Sequence, residues 1–155
     1  MRQRRSTRFA LLALAALAVA GCGSDSPGYG TSADAAVAAR TVDVTITQAR
    51  QYQPPSITVT PGEVVTFKVT NASTDLHEFM LGDEDIHEEH EGMMADMGMA
   101  SMKVADRPNL IDLDPGQTKQ LTWKFPDEKG ATVIYGSHVP GDYAGGLKGT
   151  ITVAG

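Results

Sequence analysis

Soft metal donors gather in one acidic stretch of this chain, between Asp83 and Met102. His87 and His90 precede Met93, Met94, Met97, Met99 and Met102, so two imidazoles and five thioethers stand close together. Thioether sulfur suits Cu(I), and imidazole accepts either oxidation state of copper. Two other readings fit the same residues: a Met-lined flap packed on a core, since methionine fills irregular gaps well, or a solvated loop. Asp83 is placed to cap a helix whose first turn is acidic. On that helix Ile86, His90, Met93 and Met97 share one stripe, and His87, Glu91 and Met94 another. Gly92 and Gly98 predict that its second half is irregular.

A second set of polar residues lies elsewhere. His77 stands in Leu76-His77-Glu78-Phe79, and Ser137, His138 and Asp142 lie in a Gly/Pro-rich loop. A lone histidine in a β-rich chain is often structural, and a His77–Asp142 pair would be one way to satisfy it. If Ser137 points inward, strand alternation aims His138 outward, to a surface position beside Tyr143; it is kept as a metal candidate. Cys22 is the only cysteine. Once it is committed elsewhere, no thiol remains for a disulfide, a copper thiolate or a nucleophile.

The elements that must hold these residues are strands. Val42, Val44 and Ile46 alternate with Asp43, Thr45 and Thr47; Val65, Phe67 and Val69 alternate with Thr66 and Lys68; Leu121, Trp123 and Phe125 alternate with Thr122 and Lys124. Pro61-Gly62 and Pro115-Gly116 mark turns between them. Short alternating strands with such turns predict an all-β sandwich of Greek-key type, with Trp123 in its core. Residues 82–107 interrupt this pattern as a long, partly helical Met/His-rich insertion. Gly145-Gly146-Leu147-Lys148-Gly149 lacks the Lys-Ser/Thr pair and the following helix of a phosphate loop, and reads as turn geometry.

The run from Val133 to Val153 resembles the copper-binding loop of the cupredoxins, the blue-copper β-sandwich proteins. In that family the loop reads Cys-x-x-Pro-Gly-His, with Met five residues on. Here Tyr135, Val139, Pro140, Gly141, Gly146 and Gly149 keep the frame, while Ser137, Asp142 and Leu147 stand at the three ligand positions. Val69-Thr70-Asn71 followed by His77-Glu78-Phe79 resembles the segment carrying the first ligand histidine, especially in the small periplasmic copper-resistance cupredoxins. The 82–107 insertion resembles theirs too. The resemblance implies a cupredoxin-like sandwich with copper as cofactor and His77 as its remaining ligand. A blue-copper site needs two histidines, a thiolate and a weak axial thioether. Ser137 keeps its proton at neutral pH, Asp142 offers a hard oxygen, and Leu147 offers nothing.

The N-terminus reads as an export signal. Arg2, Arg4, Arg5 and Arg8 precede an apolar run from Phe9 to Ala20, too short to span a bilayer. Val19-Ala20-Gly21-Cys22 resembles the lipobox of bacterial lipoproteins, which implies diacylation of Cys22. The expected organisation is a signal peptide over 1–21, a flexible tether over 22–40 and a cupredoxin-like domain over 41–155. The formal net charge of −6 becomes more negative still when the leader's arginines are lost. That excludes nucleic acid as a natural partner and favours cations.

The expectation is an exported lipoprotein, anchored facing outside the cytoplasm, that binds or buffers copper through His77, His87, His90, Met93, Met94, Met97, His138 and Asp142. A metal-free scaffold that binds an envelope partner is the alternative, and an electron-transfer protein the third reading. No nucleophile–base pair, catalytic zinc set or nucleotide motif points to an enzyme.

Overall fold

A computed structural model describes residues 28–97 and 107–155. In chain order the elements are β1 (Thr31–Ser32), a 3-10 turn (Ala35–Val37), β2 (Arg40–Ile46), β3 (Tyr52–Gln53), β4 (Ser56–Val59), β5 (Val64–Asn71), β6 (His77–Gly82), α1 (Glu84–Met97), β7 (Leu110–Leu113), β8 (Thr118–Lys124), β9 (Thr132–Gly136) and β10 (Lys148–Val153). They form two five-stranded mixed sheets, ordered β1-β8-β5-β2-β3 and β4-β10-β9-β6-β7. The pairs β2/β5 and β4/β10 are parallel, and the remaining pairs are antiparallel. This is the expected cupredoxin-like sandwich with a helical insertion.

The alternating residues fill the space between the sheets. Val44, Val65, Phe67, Leu121 and Trp123 from the first sheet meet Phe79, Leu81, Val133, Tyr135 and Ile151 from the second. Phe79 packs against both Phe67 and Tyr135, with ring centroids 5.5 Å apart in each case. Such pairs contribute about 0.5–1.5 kcal/mol beyond their buried area.

Strand β6 departs from the half-buried pattern, because all six of its residues are buried. His77, Phe79 and Leu81 face one side; Glu78 and Met80 face the other, where α1 covers the sheet. That covered outer face positions the candidate site.

Part of the expected tether is folded. β1 pairs with β8, Tyr29 stacks on Trp123 at 5.8 Å, and the Trp123 indole N–H donates to Tyr29 O at 2.7 Å. The indole needs an acceptor once buried, and the segment before Arg40 supplies it. The signal segment, Cys22, Gly98, Met99 and Met102 lie outside the described residues. Among the described residues no helix is long and apolar enough to cross a membrane.

Candidate metal centre

The loop joining β9 to β10 brings Ser137 and Asp142 to His77, with Leu147 next to the start of β10. Its turn depends on Gly141 and Gly146, both at positive φ. Leu147 N–H donates to Asp142 O at 2.9 Å, and Ser137 N–H to Leu147 O at 3.2 Å, which fixes the three positions relative to each other. Most of the polar groups there are paired, His77 Nε2 excepted. His77 Nδ1 lies 2.6 Å from Asp142 Oδ2, and the Ser137 hydroxyl donates to the same oxygen at 2.6 Å while accepting from Glu78 N–H at 3.0 Å. Arg50 Nη1 stands 3.8 Å from Asp142 Oδ1.

This set does not fit a blue-copper ion. It has neither thiolate nor thioether, and one of the two imidazole nitrogens, Nδ1, already holds a carboxylate. It does not fit a nucleophilic triad either. Asp142 stands between Ser137 and His77, whereas serine activation needs the imidazole in the middle.

A second cluster occupies the outer face of the same sheet. Asp83 caps α1 as expected, accepting from Ile86 N–H at 3.1 Å. The helix continues through Gly92 to Met97, so its second half is regular rather than broken. Its buried positions are His87, His90 and Met94, one residue set drawn from both expected stripes. His90 Nε2 lies 3.2 and 3.3 Å from the two Glu78 carboxylate oxygens, and Glu78 Oε2 also accepts from His138 N–H at 2.9 Å. His87 Nδ1 lies 2.8 Å from His138 Nε2, and His87 Nε2 lies 3.2 Å from Ile134 O.

Tyr143 closes the cluster, stacked on His138 at 4.4 Å and on His87 at 5.3 Å. Gly136 leaves room for that ring, since a Cβ there would come within 2.8 Å of it. Burial, with His87 and His90 nearby, pushes His138 down to about 3, and burial lowers His87. Burial raises the Tyr143 phenol, helped by the negative charges of Glu84, Glu91 and Glu88.

His138 is therefore not a surface residue. Alternation does send it to the opposite side from Ser137, but α1 covers that side, and its side chain is fully buried. Met94 belongs to the cluster. Met93 is half-buried, its sulfur 3.2 Å from Arg107 Nη2, and Met97 is 37% exposed. The expected donors thus divide in two: His77 with Asp142 on the inner side, His87, His90, His138 and Met94 on the outer. Glu78 had no assigned role, although its place between His77 and Phe79 puts it on the helix side of β6. Among the described residues, no group of three or more His, Cys, Asp or Glu side chains already stands as a ready cation site.

No protein-family model matches the chain. It is 32% identical over 151 residues to a copper-resistant cuproprotein CopI of Pseudomonas aeruginosa, covering 81% of this chain and 82% of that one. A CopI of Rubrivivax gelatinosus is 32% identical over 130 residues, covering 84% and 75%. Among solved structures, dithionite-reduced auracyanin from Roseiflexus castenholzii superposes with a TM-score of 0.62 at 28% identity, over 76% of this chain and 99% of that one. Auracyanin B gives 0.65 at 24% identity, over 85% and 100%, a likeness of fold. Identity above 30% along most of both chains, on a shared sandwich, places this chain in the CopI family of copper-resistant cuproproteins, with a cupredoxin-like fold.

Proposed function

We propose that this protein holds or buffers copper at the cell envelope through the His/Met side of helix α1, and that it is not a blue-copper electron carrier. The observation that carries this reading is that two histidines buried beneath the methionine-bearing helix α1, His90 and His138, each keep a ring nitrogen without a hydrogen-bond partner, as His77 does on the other side of the sheet. The CopI relatives are named copper-resistant cuproproteins, and the negative charge of the chain attracts cations. Imidazole and thioether donors suit copper, and Cu(I) in particular. His77, expected among the ligands, is engaged by Asp142 and serves the fold of the loop. Nothing in the Ser137–Asp142–His77 order supports catalysis, so the protein is read as a binder and not an enzyme. Cys22, diacylated, would tether it to the membrane facing outside the cytoplasm.

The test is anaerobic titration of the full chain with Cu(I), and aerobic titration with Cu(II). Uptake of copper without an intense thiolate-to-copper band is expected. An intense band would restore the electron-carrier reading. A protein that takes up no copper in either state is the metal-free scaffold, a reading favoured by the complete pairing of Asp142.

A further inference from the structure

The proton positions beneath α1 follow from one end of a short chain. Ile134 O can only accept, so His87 Nε2 must carry the proton of their 3.2 Å contact. A neutral imidazole carries one ring proton, and His87 spends it on Ile134 O, which leaves its Nδ1 as a lone pair. The 2.8 Å contact between that atom and His138 Nε2 then places a proton on His138 Nε2. His138 Nδ1 is left as a bare lone pair, buried and without a partner.

That lone pair faces a carboxylate. Glu91 Oε2 lies 3.9 Å from His138 Nδ1, too far for a hydrogen bond. Two acceptors opposed in this way repel unless a cation stands between them. Glu91 and His138 line one cleft of about 200 Å³ with Met94 and the ring of Tyr143. Met94 follows Glu91 by three residues, so both side chains leave α1 on the same side.

We propose that this cleft is a copper(I) site in which His138 Nδ1, the Glu91 carboxylate and the Met94 thioether are the ligands, and His87 fixes the His138 tautomer from behind. It rests on the copper-holding reading above and names the atoms that perform it. One carboxylate and two neutral donors balance a single positive charge, which favours Cu(I) over a divalent ion. The thioether adds softness. His87 Nδ1 receives the ring N–H of the ligand histidine, the part a carboxylate or carbonyl plays at many metal centres. The position lies across the sheet from the pocket around His77, so it owes nothing to the family's loop ligands.

The test uses the full chain in detergent, labelled with 15N-histidine and kept anaerobic. Long-range proton–nitrogen correlation of the copper-free protein should show His138 as the Nε2–H tautomer. One equivalent of Cu(I) should shift His138 Nδ1 and leave both His77 nitrogens unmoved. Competition with a chromophoric Cu(I) chelator should show affinity lowered about tenfold or more in Glu91→Gln and in Met94→Leu. Glu91 is half exposed, so Glu91→Gln tests the site without disturbing the core. Met97→Leu should bind as wild type does. An Nδ1–H tautomer, or affinity retained in both Glu91→Gln and Met94→Leu, overturns this site while leaving copper binding intact. Tighter binding of Zn(II) than of Cu(I) overturns the choice of metal. A wild type that binds no copper removes both the site and the function proposed above.

Discussion

Asp142 Oδ2 lies 2.6 Å from His77 Nδ1, inside a loop whose frame in blue-copper proteins gathers metal ligands. Asp142 also accepts from Ser137, and all three residues are buried. Asp142→Ala leaves two buried donors without their acceptor, a loss of about 1–3 kcal/mol for each unsatisfied group. Asp142→Asn keeps the shape and one acceptor oxygen, and should cost less. Urea denaturation orders the two variants; equal stability of Asp142→Ala and wild type would deny the pair any part in holding the loop.

The outer cluster makes the copper-free protein sensitive to acid. His138 is lowered to about 3 and His87 is lowered as well, each mainly by burial. Free histidine titrates near 6.5, so below that pH the unfolded chain binds more protons than the folded one. Stability contributed by the neutral imidazoles is therefore present above pH ~6.5 and is lost progressively as pH falls toward 3. Urea midpoints at pH 7, 5.5 and 4.5 should decline in that order. Replacing His138 by Phe should flatten the decline, and an equal slope in that variant would assign the acid sensitivity to other groups.

Fold and loop were legible because both rest on local signals. Alternation in Val65, Phe67 and Val69 and the Pro140-Gly141 turn are written in consecutive residues, and Asp142 does meet His77, with Ser137 beside it. The burial of His138 was not legible in this way. Alternation sets its direction, but only the packing of α1 over β6 and β9 turns an outward residue into an interior one. Glu78 escaped notice for the same reason, since an outward carboxylate on a strand reads as solvated until His90 is laid upon it. The division of the methionines did not follow from helix phase: Met97 follows His90 by seven residues and lies on nearly the same face, yet at the end of α1 it is 37% exposed, while Met94 is buried with His87 and His90. Gly92 carries a propensity cost of about 1 kcal/mol, and the burial of His87, His90 and Met94 outweighs it.

Gly136→Ala tests whether the aromatic closure matters to the cluster. A Cβ there would meet the Tyr143 ring at 2.8 Å, so the ring must move off His138 and His87. Overpacking of this kind costs about 1–3 kcal/mol. Thermal unfolding should show the loss, and His138 resonances should shift more than those of His77. Unchanged histidine signals would mean that the Tyr143 stack does not position the imidazoles.

Cys22→Ser addresses the tether. A diacyl anchor supplies two hydrocarbon chains, enough for stable attachment where a single chain is marginal. The substitution should release soluble protein or block processing. Detergent-free fractionation of cells is the measurement, and equal membrane retention of both forms would remove the anchor.

Restoring the family's ligands tests the loop directly. The backbone bonds among Ser137, Asp142 and Leu147 hold these positions relative to one another independently of the three side chains. Ser137→Cys, Asp142→His and Leu147→Met should therefore rebuild two imidazoles, a thiolate and an axial thioether on an unaltered frame. Removing Asp142 also frees His77 Nδ1, the atom it now occupies. Loaded with Cu(II), the triple variant should turn intensely blue, while the wild type stays nearly colourless. Ser137→Cys alone should give a weaker or altered colour, because Asp142 would still engage His77 and present oxygen where an imidazole belongs. The outer cluster gives an internal control, since Glu91→Gln in the same background should leave the blue colour untouched. A folded triple variant whose copper is lost on Glu91→Gln would show that the restored loop binds nothing, and that His77 serves only to pair with Asp142.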